Sequence, residues 1–261
     1  MKRLTRATPW LFVAVAFAFV AFALTTGELP DPLWRIVIVG CGALLALFGW
    51  RVNKMPIPFL AAMLLAAARL ATLPIADHTS PASHLTSLPL VLDIGLGVIL
   101  CMLLTIAVRR RRGTMCRRDY LDILAIAIGA SIVTWLLVTN PLIDDHGVEL
   151  WMAVLASAYL PISSLILTFT VDLMFTGLHH NRTLRFAVGA ASANLIATGV
   201  NDLWLVEVLP AGGQVLSVSM YAVAFLLLCA ALSHRDGPEA LRADPDGRDV
   251  HHDSPVRLTL L

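Results

Sequence analysis

The side chains in this sequence that could do chemistry are few, and they sit inside apolar runs. Arg69 falls within residues 57–76 and Asp93 within residues 87–108, and each is the sole Asp, Glu, Lys or Arg of its run. Placing such a group in a low-dielectric medium is costly unless it is paired or wetted, so both are candidates for an intramembrane polar site. At a helical rise of about 1.5 Å per residue, Arg69 stands roughly 10 Å before the end of its run and Asp93 roughly 9 Å after the start of the next. Antiparallel neighbours would hold the two at matching depth. Two roles fit: an ion pair that fixes the packing of two helices, or a polar site open to the outside that senses an ion or a small ligand. Arg69 can also snorkel toward the headgroups.

A second set is uncharged. Tyr159 and Asn194 fall at similar depth on neighbouring runs, with Pro161, Ser163 and Ser164 just beyond Tyr159. Hydroxyl and amide groups so placed either line a ligand cavity or bond one helix to the next, and spacing alone permits both. Asp122 and Asp172 lie near the basic ends of their runs, where interfacial pairing with Arg117, Arg118, Arg182 and Arg185 accounts for them. Asp119 and Asp122 also suit a helix N-terminus. His179-His180 and His251-His252-Asp253 lack the Cys or carboxylate spacing that would complete a metal centre. Cys41, Cys101, Cys116 and Cys229 are scattered, without a disulfide framework or zinc spacing. Within the apolar runs no pair of histidines and no serine with a base stands at helical spacing, so neither enzyme activity nor a bound cofactor is expected.

A membrane must position these residues. Hydrophobic residues make up 58% of the chain and charged residues 14%, with a net charge of +1. That balance lies outside soluble domains and has no polyanion-binding character, so the lipid bilayer is an expected partner and nucleic acid is not. A hydrocarbon core about 30 Å thick takes roughly 20 helical residues to cross, because a helix satisfies its own backbone in lipid. Residues 9–26, 33–50, 57–76, 87–108, 121–139, 150–175, 184–205 and 213–233 meet this requirement. They predict an all-α polytopic transmembrane helical bundle of about eight spans in residues 1–233, followed by a polar tail at 234–261. The second run is the weakest, being short and carrying Arg35. Met1-Lys2-Arg3 and the Ala21-Phe22-Ala23 site look like parts of a signal peptide, but the first run is long and other spans follow, so an uncleaved helix fits better. The tail ends in Val256-Arg257-Leu258-Thr259-Leu260-Leu261, which reads as the start of a further element.

Charge then orients the bundle. Lys2, Arg3 and Arg6, next Arg51 and Lys54, next Arg109, Arg110, Arg111, Arg112, Arg117 and Arg118, and next Arg182 and Arg185 occupy alternate gaps. The intervening gaps and span ends hold Glu28 and Asp31, then Asp77, then Asp144, Asp145 and Glu149, then Asp202 and Glu207. Basic segments resist translocation, so both termini are expected in the cytoplasm and the chain in the inner (plasma) membrane. The Arg109–Arg118 loop is topogenic and suited to contact anionic lipid. Trp10, Trp34, Trp50, Trp151 and Trp204 sit at run ends, as headgroup-level rings do.

From about Pro89 to Trp204 the chain resembles the multi-spanning amino-terminal membrane region of actinobacterial diguanylate cyclases and phosphodiesterases, the GGDEF/EAL signalling family. Pro89 with Asp93 opens one span, an Arg-rich exit follows at Arg109 to Arg112, and Asp122 precedes an Ala/Ile/Gly span that ends at Trp135 and Pro141. Asn201-Asp202-Leu203-Trp204 is similar to the family's acidic and aromatic pair at an outer span end. Where the family carries Tyr-Pro and then Asp, this chain has Tyr159-Leu160-Pro161-Ile162-Ser163-Ser164, with the proline displaced and the acid absent. The resemblance implies a module that senses a signal or docks partners in the membrane and passes a change to cytoplasmic cyclase or phosphodiesterase domains. Glu239-Ala240-Leu241 spells the phosphodiesterase tripeptide, yet the large barrel that such chemistry needs does not fit after Leu241. A small-solute or ion permease using Arg69 and Asp93 is the other expectation from the residues, although no paired broken helices mark a midplane site. The orientation is testable by fusion: a fluorescent protein joined after Asp236 should fluoresce in cells, and alkaline phosphatase joined after His146 should be active. The reverse pattern would overturn the charge assignment.

Overall fold

The computed structural model describes residues 4–27, 39–40, 42–44, 47, 51, 67, 88–112, 117–175, 181–210, 212–234 and 236, and among them all regular structure is helical. Most of the runs at 33–50 and 57–76, with Arg69, and the tail beyond Asp236 lie outside the described residues. Helix α1 is Leu4–Thr26, and the next continuous helices are α2, Leu88–Arg112, and α3, Arg117–Thr134. A π-helical turn at Trp135–Thr139 joins α3 to α4, Asn140–Asp144. Then come α5, Leu150–Ser157; α6, Tyr159–Phe175; α7, Arg182–Leu205; and α8, Gly212–Ser233. Among the described residues, three stretches are long and apolar enough to cross a membrane: Arg117–Asp144, Leu150–Phe175 and Gly212–Ser233. Thr8–Ala23 and Ile94–Arg109 are shorter apolar helices.

Large apolar side chains line the outer surface as well as the core, which differs from a protein folded in water. Leu121, Leu124, Ile128, Ile132 and Leu136 recur at helical spacing along α3 and the π turn, and are 50–62% exposed. Thr134, Thr139, Ser157, Ser163, Thr198, Ser217 and Ser219 are buried. In water the exposed stripe would be an aggregation surface; against lipid tails it is solvated, and the hydroxyls turn inward to find partners. Serine, alanine and glycine also let helix backbones approach closely where no hydrophobic driving force separates protein from solvent. Helix α8 shows this texture and packs against both α7 and α1, while α6 packs against α2, α3 and α7. The largest apolar cluster joins Phe12 and Ala16 of α1 and Leu96 of α2 to Tyr159, Ala197, Tyr221 and Phe225.

Two prolines account for irregularities within long helical stretches. Pro161 has no N–H to give the Ser157 carbonyl, and its ring crowds that turn, so the helix is interrupted at Ala158 between α5 and α6. Pro141 likewise cannot bond Leu137, and the preceding turn widens: the Asn140 N–H donates to the Trp135 carbonyl, five residues back. The widened turn carries Thr139 to Ser157, whose hydroxyls lie 2.8 Å apart across the two helices. Gly147, at φ 63°, closes the turn out of α4, with its N–H on the Ile143 carbonyl. After α7 the same left-handed role falls to Glu207 at φ 58°. Its N–H donates to the Trp204 carbonyl and that of Val208 to Leu203, the paired bonds of a Schellman cap. At the other end of α7, Asn181 caps the helix by accepting from the Leu184 N–H at 3.3 Å, and its Nδ2 donates to the Asp236 carbonyl at 3.1 Å.

Helices α2 and α6 approach closely at Gly97. A Cβ at this position would lie 2.5 Å from Ile162 Cγ2 and 3.2 Å from Tyr159 Cε2, whereas at Gly129 nothing stands within 4 Å. Gly97→Ala should therefore destabilise the fold by about 1–3 kcal/mol through overpacking. Gly129→Ala should stabilise it by up to about 1 kcal/mol through helix propensity. Thermal unfolding in detergent distinguishes the two, and equal shifts would show that α2 and α6 do not meet at Gly97.

Candidate functional site

Three helices contribute polar pairs at i and i+4, which places each pair on one face: Tyr159 and Ser163 on α6, Asn194 and Thr198 on α7, Ser217 and Tyr221 on α8. Packing of α7 between α6 and α8 brings the faces together. The Tyr159 hydroxyl donates to Asn194 Oδ1 at 3.3 Å, and Asn194 Nδ2 donates to Ser163 Oγ at 3.0 Å. Ser163 Oγ and Thr198 Oγ1 lie 3.4 Å apart. The Thr198 hydroxyl gives its proton to the Asn194 carbonyl at 2.8 Å, so Ser163 must be the donor in their contact. Thr198 Oγ1 also accepts from the Tyr221 hydroxyl at 3.3 Å. One oxygen thus donates once and accepts twice, and every polar atom in the chain from Tyr159 to Tyr221 has a partner. Ser217 adds a bond from its hydroxyl to the Ala197 carbonyl at 3.2 Å.

The chain lies in the interior, with Ser163 at 0% and Thr198 at 1% exposure. In such a medium a satisfied network rigidifies the packing, while a broken one leaves a costly orphan. Beside it is a cavity of about 110 Å³. Leu96 and Leu100 of α2, Ile166 of α6, Ala190 of α7 and Phe225 of α8 form apolar wall, and Tyr159, Asn194 and Tyr221 bring the polar network to it. The arrangement can hold a small guest and offer it hydrogen bonds at one edge. Among the described residues no group of three or more His, Cys, Asp or Glu is placed to hold a metal ion.

Of the residues singled out by sequence, Tyr159 and Asn194 are in contact. Ser163 is part of the same network, whereas Ser164 bonds the Leu160 carbonyl of its own helix. Asp93 falls on α2, but its side chain, like all of Arg69, lies outside the described residues. Arg109 is exposed and its Nη2 donates to the Tyr120 hydroxyl at 2.7 Å. Arg117 and Arg118 are exposed at the start of α3. Arg110, Arg111 and Arg112 complete α2, with side chains outside the described residues. Asp202, grouped by sequence with the outward acidic residues, is only 2% exposed, because α7 runs on to Leu205 and its last turn is folded into the bundle. Sequence reasoning missed Thr198 and Tyr221; the i, i+4 repeats from Asn194 and Ser217 were the available signal.

No protein-family model matches the chain, and neither a curated protein nor a solved structure shows significant similarity to it.

The network gives unequal weights to its members. Tyr159→Phe removes one donor to Asn194 and should cost about 0.6 kcal/mol, the average for interhelical hydrogen bonds in a membrane. Thr198→Val leaves the Ser163 and Tyr221 hydroxyls without their acceptor and should cost about 1–3 kcal/mol. Reversible unfolding in mixed micelles measures both, and the opposite ranking would exclude Thr198 as the centre of the network.

Proposed function

We propose that this chain is a multi-pass plasma-membrane signalling module of about eight spans, with both termini cytoplasmic and no catalytic domain of its own in residues 1–261. Its output would pass through a cytoplasmic partner of the cyclic-dinucleotide cyclase or phosphodiesterase class, as the resemblance over residues 89–204 implies. The observation that carries this proposal is the small, partly open cavity between α2, α6, α7 and α8, edged by the hydrogen-bonded chain from Tyr159 to Tyr221. Such a site can report occupancy, because a guest that alters the network alters the packing of every helix tied to it. Occupancy shifts the balance of two packings only as far as the guest binds one better than the other. The basic loop between α2 and α3, with exposed Arg109, Arg117 and Arg118, presents the charge expected at the cytoplasmic face.

The test is isolation of the tagged full chain from native membranes in mild detergent, followed by assay of the eluate for conversion of GTP to cyclic di-GMP. Co-purifying activity that changes with Thr198→Val is the expected result. Absence of activity, together with solute uptake into vesicles that is lost in Asp93→Asn, would replace the sensor with a permease.

A further inference from the structure

We propose that the cavity is a binding site for a small neutral ring compound bearing one hydroxyl group, of the size of a monocyclic phenol. At about 110 Å³ it is near the scale of the apolar cavities, around 150 Å³, that hold a benzene-sized guest. Among the described residues none that lines it is charged, so these residues offer nothing to offset the desolvation penalty of an ionic ligand. Leu96, Leu100, Ile166 and Phe225 supply apolar contact for a ring.

Hydroxyl recognition falls to Asn194. Its amide oxygen has two lone pairs, one of which receives the Tyr159 hydroxyl at a long 3.3 Å. A ligand O–H can donate to the other. The Asn194 Nδ2 is committed to Ser163 at 3.0 Å, which holds the amide in the orientation that presents its oxygen toward Tyr159. Binding there would strengthen or displace the Tyr159 bond and so reach Ser163, Thr198 and Tyr221 in turn. A weakly polar phenol also partitions into the apolar medium that the exposed α3 stripe requires, so the ligand can arrive from the bilayer. The physiological consequence rests on the signalling role proposed above; the binding itself does not.

The experiment uses the full chain in phosphatidylcholine nanodiscs and ¹⁹F NMR of 4-fluorophenol and fluorobenzene, with empty nanodiscs to measure lipid partition. Saturable binding of both is expected, about tenfold tighter for 4-fluorophenol, the factor that one hydrogen bond of about 1.4 kcal/mol supplies. Ala190→Leu or Ala187→Leu, which fill the wall, should abolish binding of both. Asn194→Leu should erase the preference for the phenol. Signals no greater than in empty nanodiscs would overturn the site, as would binding unchanged in two wall variants that melt like the parent. Phenol binding without co-purifying cyclase activity keeps the site and removes the signalling role; cyclase activity without phenol binding does the reverse.

Discussion

The buried hydroxyl of Thr198 is the interaction on which the described bundle depends. It accepts from α6 and α8 while donating to its own helix, and so ties three helices through one oxygen. In water such a group would gain little, since solvent offers equivalent partners. In a medium without competing donors, leaving it unmatched is expensive, and the surrounding residues are arranged so that it is matched. The cavity lies on the side of the bundle where the Tyr159 hydroxyl donates to Asn194 and the Tyr221 hydroxyl to Thr198, directional bonds that hold both rings at its wall.

The same medium accounts for the outer surface. An exposed run of Leu and Ile along α3 and a buried set of Ser and Thr are two results of one constraint: the solvent is apolar, so polar groups must be satisfied inside. Proline is tolerated under that constraint only where freed carbonyls find other arrangements. At Pro141 the helix widens by one residue, and at Pro161 it breaks at Ala158. Both irregularities lie close to the Thr139 to Ser157 bond, which ties the two broken helices together near their ends.

Membrane character and helical secondary structure were legible from residues alone. The run at 150–175 coincides with α5 and α6, and the run at 213–233 with α8 to within a residue. Helix α3 and its continuation extend to Arg117–Asp144, beyond the apolar run at 121–139, because amphipathic ends add turns that hydropathy does not count. Pairing of Tyr159 with Asn194 was legible as matching depth. The directions of the bonds and the parts played by Thr198 and Tyr221 were not, because depth says nothing about which face of a helix meets which neighbour. The burial of Asp202 was not legible for the same reason: a position near a span end does not tell whether that end is covered.

By itself the sequence determined the solvent and the elements, since hydropathy and proline placement act locally and need no knowledge of neighbours. Only the tertiary structure decided that α7 lies between α6 and α8, that Gly97 admits Ile162 and Tyr159 at contact distance, and that a space of about 110 Å³ remains beside Asn194. Those outcomes depend on helix rotation and crossing, which are set by the sum of many weak side-chain contacts and by a few hydrogen bonds whose partners are distant in the chain.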